Sequence, residues 1–232
     1  MWNRAEIKEK AKAAFKANYW KSVLVSIIFI IAGGGAGVLT YNYGSNTTSG
    51  EDFTAQFNSM SQGQLLVIIL AVMGAIAAIS VIAFIIKIFL LNPLAVGCQK
   101  FFRENAEFPA DMDNLSKGFN RKYGNVVFTM LLKDIFLGLW SLLFVIPAIV
   151  KAYSYRMTPY IIADNPEMSA LDAITKSRNM MRGHKWNTFV LDLSFLGWLI
   201  LSGCTLGILG VFYVNPYIFE TDAELYLALK DN

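Results

Sequence analysis

The chain has 232 residues, of which 55% are hydrophobic and 14% aromatic, and only 16% are charged. The 20 basic and 17 acidic residues leave a net charge of +3. A charged share below the roughly 25% of soluble domains excludes a disordered chain and disfavours an ordinary soluble enzyme. Mean hydropathy is +0.45, modest for a bare membrane bundle, so polar helical segments are expected too.

Residues 1–21 predict a cytoplasmic amphipathic helix. Ile7, Ala11, Ala14, Phe15 and Tyr19 share one helical face and lysines take the others. Asn3 and Glu6 are spaced as a cap and its N3 partner. Val23 to Leu39 is uncharged and predicts a first span, 22–40. The same run resembles a signal-peptide core, but an amphipathic segment precedes it. Residues 41–63 are polar and free of Lys and Arg, as expected of an outer loop. Leu65 to Leu91, interrupted only by Lys87, predicts the second span, 64–91, and 92–123 returns to the cytoplasm.

Val126 to Ile162 is about twice the roughly 20 residues that cross a hydrocarbon core. It predicts two spans, 124–146 and 147–163, turning at Ile146-Pro147-Ala148-Ile149, because Pro suits the start of a helix. Residues 164–186 predict a second cytoplasmic amphipathic helix, with Ser169 and Asp172 spaced as a capping box. Phe189 to Phe219 predicts spans 187–203 and 205–220 around a turn near Gly203 to Gly207, and 221–232 a cytoplasmic tail. The expected fold is therefore all-α. It is a single polytopic membrane domain (1–232) of six transmembrane helices in three hairpins, each preceded by a basic amphipathic interfacial helix.

Basic residues set the orientation. Arg4, Lys8, Lys10, Lys12, Lys16 and Lys21 precede the first span; Lys100, Arg103, Lys117, Arg121 and Lys122 follow the second; Lys176, Arg178, Arg182 and Lys185 follow the fourth. This places both termini in the cytoplasm, in a multi-pass protein of the cytoplasmic membrane. Lys151, near a proposed outer turn, is the one exception. Cys98 and Cys204 then lie on opposite sides as free thiols, and an impermeant thiol reagent is expected to reach Cys204 from outside. The Gly33–Gly37 and Gly203–Gly207 spacings fit close helix packing.

The hairpins recur in form. Each returning limb carries a proline: Asn92-Pro93, Thr158-Pro159 and Asn215-Pro216, with Pro147 at the second turn. The pattern reads as three copies of one unit. A proline frees the carbonyl four residues earlier, which in lipid needs another partner. Asn92 and Asn215 are candidates. These helix-break positions suggest either a polar hinge or packing kinks.

Five charged residues fall within or near spans: Lys87, Lys133, Asp134, Arg156 and Asp192. Intramembrane charges are costly and mark functional candidates. They predict an internal polar cluster in the cytoplasmic half, in which Lys133 or Arg156 pairs with Asp192 or Asp134. Such a cluster suits an anionic headgroup or phosphate, or proton uptake; snorkelling with structural ion pairs is the plain alternative. No nucleotide-binding, metalloprotease or hydrolase motif is present. Catalysis has only Asp164, Asp192 or Glu220 to draw on, and no cofactor, metal site or nucleic-acid partner is expected.

Several stretches are distinctive. They are Ile146-Pro147-Ala148-Ile149 through Tyr155, Pro159-Tyr160-Ile161-Ile162-Ala163-Asp164-Asn165-Pro166, Ala173-Ile174 with Ser177-Arg178, Gly183-His184-Lys185-Trp186, Leu191 to Phe195, and Asn215-Pro216-Tyr217. With Arg4 to Trp20 they resemble the domain-of-unknown-function family 975, integral membrane proteins mostly of Gram-positive bacteria. A looser similarity reaches the non-catalytic membrane domain of some glycerophosphodiester phosphodiesterases. The resemblance implies the fold and location and leaves the role open. The expected function is a non-enzymatic inner-membrane protein that binds anionic lipid or a membrane partner (another protein or a second copy of itself) at its cytoplasmic face. A small secondary transporter or channel built on the charged cluster is the alternative.

Overall fold

The structure, a computed structural model, describes residues 2–33, 61–119 and 122–230. Among these the regular structure is all helical. The helices are α1 (Arg4–Ala17), α2 (Tyr19–Ile31), α3 (Gln62–Ile86), α4 (Asn92–Asn105), α5 (Tyr123–Leu143), α6 (Val145–Tyr155), α7 (Thr158–Asp164), α8 (Ala170–Met180), α9 (Lys185–Leu193), α10 (Leu196–Cys204) and α11 (Asn215–Lys230). A 3-10 helix (Met112–Phe119) and two π turns (Lys87–Leu91 and Gly210–Val214) join them. The first span beyond Gly33, the rest of the Gly33–Gly37 spacing, the outer loop to residue 60, and Arg121 lie outside the described residues.

Three helical runs are long and apolar enough to cross a membrane: Gln62–Asn105, Tyr123–Leu143 and Lys185–Cys204. A fourth is added if α1 and α2, bent by 104° at Asn18, count as one span. The six-span drawing is finer than this. Its fourth span, 147–163, divides into α6 and α7 at Arg156-Met157. At ~1.5 Å per residue the 11 residues of α6 rise about 16 Å, half a hydrocarbon core.

The chain sorts into two tiers. Large exposed apolar side chains gather on α3, on 135–150 and on 193–212. α3 buries none of its residues, as a helix that is apolar all round does in lipid. The packed core lies elsewhere, in α1, α2, α4, α7, α8 and α11, around Phe29, Phe101, Phe102, Ile161, Ile162 and Tyr226.

That core explains two departures from the sequence reading. The apolar face of α1 (Ile7, Ala11, Phe15) is buried, and the helix packs on α11; the predicted interfacial helix is docked on protein. Ala173, Ile174 and Ser177 of α8 are likewise buried, against a group of helices that includes α5, α6 and α7. Amphipathicity says that one face is covered, not by what. The predicted tail 221–232 is mostly the second half of α11, whose Thr221, Ala223, Leu225, Tyr226 and Leu229 are buried. Its acids closed the apolar run in the sequence, yet Asp222 pairs with Arg156 and Glu224 is buried in the helix packing.

Caps and turns follow local chemistry. Asn3 Oδ1 accepts from the Ala5 N–H at 3.0 Å, while Glu6 pairs with Lys10. Ser169 Oγ accepts from the Asp172 N–H at 3.2 Å. Between α5 and α6 the chain turns at Phe144, three residues before Pro147. Pro147 sits in the first turn of α6, where the backbone N–H groups lack helical partners. The later turn uses positive φ at Leu206 (52°) and Gly207 (83°). Gly203 faces open space, so Gly203 and Gly207 do not form a close helix contact.

Neither Asn-Pro pair breaks its helix. α3 runs into α4 as one helix of 44 residues. The π turn before Pro93 carries an Asn92 N–H to Lys87 carbonyl bond, five residues apart, and absorbs the extra residue. The carbonyl that Pro93 frees belongs to Phe89, and the Tyr123 hydroxyl donates to it. Asn92 does not serve that role. Asn215-Pro216 follows a second π turn, in which the Asn215 N–H bonds to the Gly210 carbonyl. Thr158-Pro159 instead opens α7 after a true break.

Candidate functional site

The five predicted charges form two groups. In the first, Asp134 on α5 lies 3.5 Å from Lys133 and 3.8 Å from Lys87, and the Asn92 amide donates to it at 3.5 Å. In the second, Arg156, at the break between α6 and α7, reaches Asp192 with two bonds of 2.6 and 2.9 Å. It reaches Asp222 with a third of 2.6 Å. The Tyr153 hydroxyl also donates to Asp192 at 2.8 Å. Asp222 was hidden in the sequence because it stood in the predicted tail.

Asp164 anchors a third group. Arg103 Nε lies 3.2 Å and Lys230 Nζ 2.8 Å from its oxygens, and the Tyr226 hydroxyl donates at 3.0 Å. A fourth group is uncharged apart from one acid. Glu220, fully buried on α11, accepts from Ser22 Oγ at 3.0 Å and from the Asn105 amide at 2.6 Å. Asn105 also binds the Ala14 carbonyl and accepts from Asn18, tying the α1–α2 bend to the end of α4. Burial pushes the Glu220 carboxyl up to about 8, against the two hydrogen bonds, which favour ionisation. These groups brace the fold. None combines a nucleophile, a base and an open cavity. Among the described residues no three His, Cys, Asp or Glu side chains gather closely enough to hold a metal ion.

A fifth group differs, because its charges are unneutralised. Lys151 on α6, Arg178 on α8 and Arg182 beyond it each lie within electrostatic range of Lys185 at the start of α9. None of the four forms an ion pair with a described residue. α8 and α9 both pack on α6, and Ser177 Oγ donates to the Ser154 carbonyl at 2.9 Å, which fixes the assembly. Lys151 Nζ sits 4.4 Å over the Trp140 ring. Trp186, beside Lys185, is 71% exposed. The sequence offered Lys151 only as an exception to the orientation rule. Here it stands with the basic residues that follow α8.

Helices long and apolar enough to cross a bilayer, set beside a separately packed tier, define an all-helical protein with three or four candidate membrane spans. Residues 142–232 match the model of a family described as Protein of unknown function (DUF975), which supports the resemblance drawn from the same stretch. No curated protein and no solved structure matches the chain.

Proposed function

We propose that this is a non-enzymatic membrane protein that binds anionic lipid headgroups on the cytoplasmic leaflet through Lys151, Arg178, Arg182 and Lys185. The observation that carries the reading is that no described acidic residue pairs with this group, when Lys133 and Arg156 are both paired. A basic residue near an anionic leaflet contributes about 1 kcal/mol, so four suffice for selective retention. Exposed Trp186 and the Lys151–Trp140 contact suit the headgroup level.

The hairpins beyond this collar are short. From Lys151 to the turn at Phe144 the chain rises about 10 Å, and the exposed side chains there (Leu142, Leu143, Val145, Ile146) are apolar. The α10 turn stands similarly over α1. Lys8 Nζ donates to Ser194 Oγ at 3.0 Å and lies 4.2 Å from the Phe195 ring. Leu206, 84% exposed, is about 16 Å further on. Both rises match one leaflet of a core about 30 Å thick. In this reading the two hairpins dip into the cytoplasmic leaflet and return, and α3, whose stretch from Gln62 to Leu91 rises about 45 Å, crosses fully. Lys151 then ceases to be an exception.

A transporter needs charges free to change partners, and three bonds hold Arg156. Native mass spectrometry in mild detergent tests the lipid site. The wild-type protein is expected to retain phosphatidylglycerol over phosphatidylethanolamine. The variant K151Q/R178Q/R182Q/K185Q is expected to lose that preference, while K133Q keeps it. Equal retention of anionic lipid by the fourfold variant sinks the proposal.

A further inference from the structure

A groove of about 790 Å³ lies at the polar end, between α1, the end of α4 with the chain to Pro109, and α11. Its volume falls in the range of small-molecule sites. The walls mix apolar and acidic side chains: Trp2, Phe108 and Leu227 with Glu6, Glu107 and Glu224. Two of the acids are occupied, Glu6 by Lys10 at 2.8 Å and Glu107 by Arg103 at 3.2 Å. Glu224 is not. It is 8% exposed, lines the groove, and makes no hydrogen bond or ion pair with a described residue. The charged groups around it are Lys10, Glu6 and Glu107. Its carboxylate is not sealed from the groove, so a cation there can pair with it where no described residue does.

We infer that this groove is a binding site for an organic cation, an ammonium or guanidinium group that pairs with Glu224 and carries an apolar body against Trp2, Phe108 and Leu227. Among the described residues that line the groove, Glu224 supplies the acid without an ion-pair partner, so it sets charge selectivity. The two aromatic side chains supply area and a face for the cation. Lys10 is the resident competitor, near enough to favour the ionised carboxylate yet not bonded to it. Burial raises the Glu224 carboxyl above its ordinary value, with Glu107 and Glu6 adding to the rise and Lys10 opposing it. Binding therefore weakens as pH falls and the carboxylate takes up a proton.

The test uses the full chain in nanodiscs of zwitterionic lipid, with empty discs as reference. The probes are phenethylammonium and its neutral isostere 2-phenylethanol, followed by isothermal titration. Phenethylammonium is expected to bind about tenfold more tightly at pH 7.5, an advantage that shrinks at pH 5. Glu224→Gln is expected to abolish the difference between the probes. Lys10→Met, which removes the competing cation, is expected to tighten the ammonium and leave the alcohol unchanged; this holds the proposal to account even if the Glu224 variant folds poorly. Equal affinity for the two probes, or an ammonium affinity indifferent to both substitutions, overturns it.

Discussion

Arg156→Gln lowers the unfolding free energy by about 3 kcal/mol, the lower end of the cost of stripping one partner from a buried ion pair. The lower end applies because Asp192 keeps 34% of its side chain exposed, against 20% for Arg156 and 19% for Asp222. Without the guanidinium two carboxylates face each other across α9 and α11, and the break between α6 and α7 loses the group that ties it to both. In thermal unfolding of the nanodisc-embedded protein the midpoint should fall by about 6–12 °C, taking ~2–4 °C per kcal/mol for a chain of this size. Converting all three residues together, R156M/D192N/D222N, should recover much of the loss, since no charge is then left unpaired. A midpoint unmoved by Arg156→Gln would show that the three-way bond is not a brace.

The second large effect is steric. α4 and the 3-10 helix cross backbone against backbone. A Cβ added at Gly118 would stand 2.0 Å from the Pro93 carbonyl oxygen, and one at Gly97 would stand 2.3 Å from that of Leu115. Both obstacles are main chain and cannot rotate aside. Gly118→Ala is expected to cost about 3 kcal/mol, the upper end for overpacking. It should also displace Pro93 and loosen the neighbouring Asn92–Asp134 contact. Gly124→Ala, with open space at its Cβ, should stay within about 0.5 kcal/mol. Chemical denaturation of the three proteins separates these outcomes, and equal stability of the Gly118 and Gly124 variants would contradict the close crossing.

The apolar runs, the helical class and two of the ion pairs were legible in the sequence. Hydropathy marked α3, 135–150 and 193–212, where the exposed apolar side chains gather, and the charges inside those segments were few enough to name. Depth was not legible. A run of apolar residues such as 126–162 is long enough for two spans, but length does not say whether a limb crosses or turns back. In the proposed reading that turns on the surroundings of Arg156 and Lys151, and the partners of Arg156, Asp192 and Asp222, lie on distant helices. The partners of α1 and α8 were hidden for the same reason. Glu220, Asp222 and Glu224 show a third limit. Alternate positions on one helix point to different faces, so Glu220, which closes the last predicted span, and Asp222 and Glu224, which open the predicted tail, have three separate environments. The glycines of the 3-10 crossing carried no sequence signal beyond being glycines.

The measurement that bears most directly on the membrane reading is the reactivity of Cys204, beside the exposed turn at Leu206 and Gly207. Cys98 is buried, so Cys204 is the accessible native thiol. With a hairpin that dips into one leaflet, Cys204 should resist a membrane-impermeant maleimide both in intact cells and in inverted vesicles, and react once denaturing detergent brings the thiol into water. Arg178→Cys, in a chain lacking Cys204, should react with the impermeant reagent in inverted vesicles alone. Labelling of Cys204 in intact cells would mean that the last hairpin crosses the bilayer, as the six-span drawing has it, and would contradict the one-leaflet account.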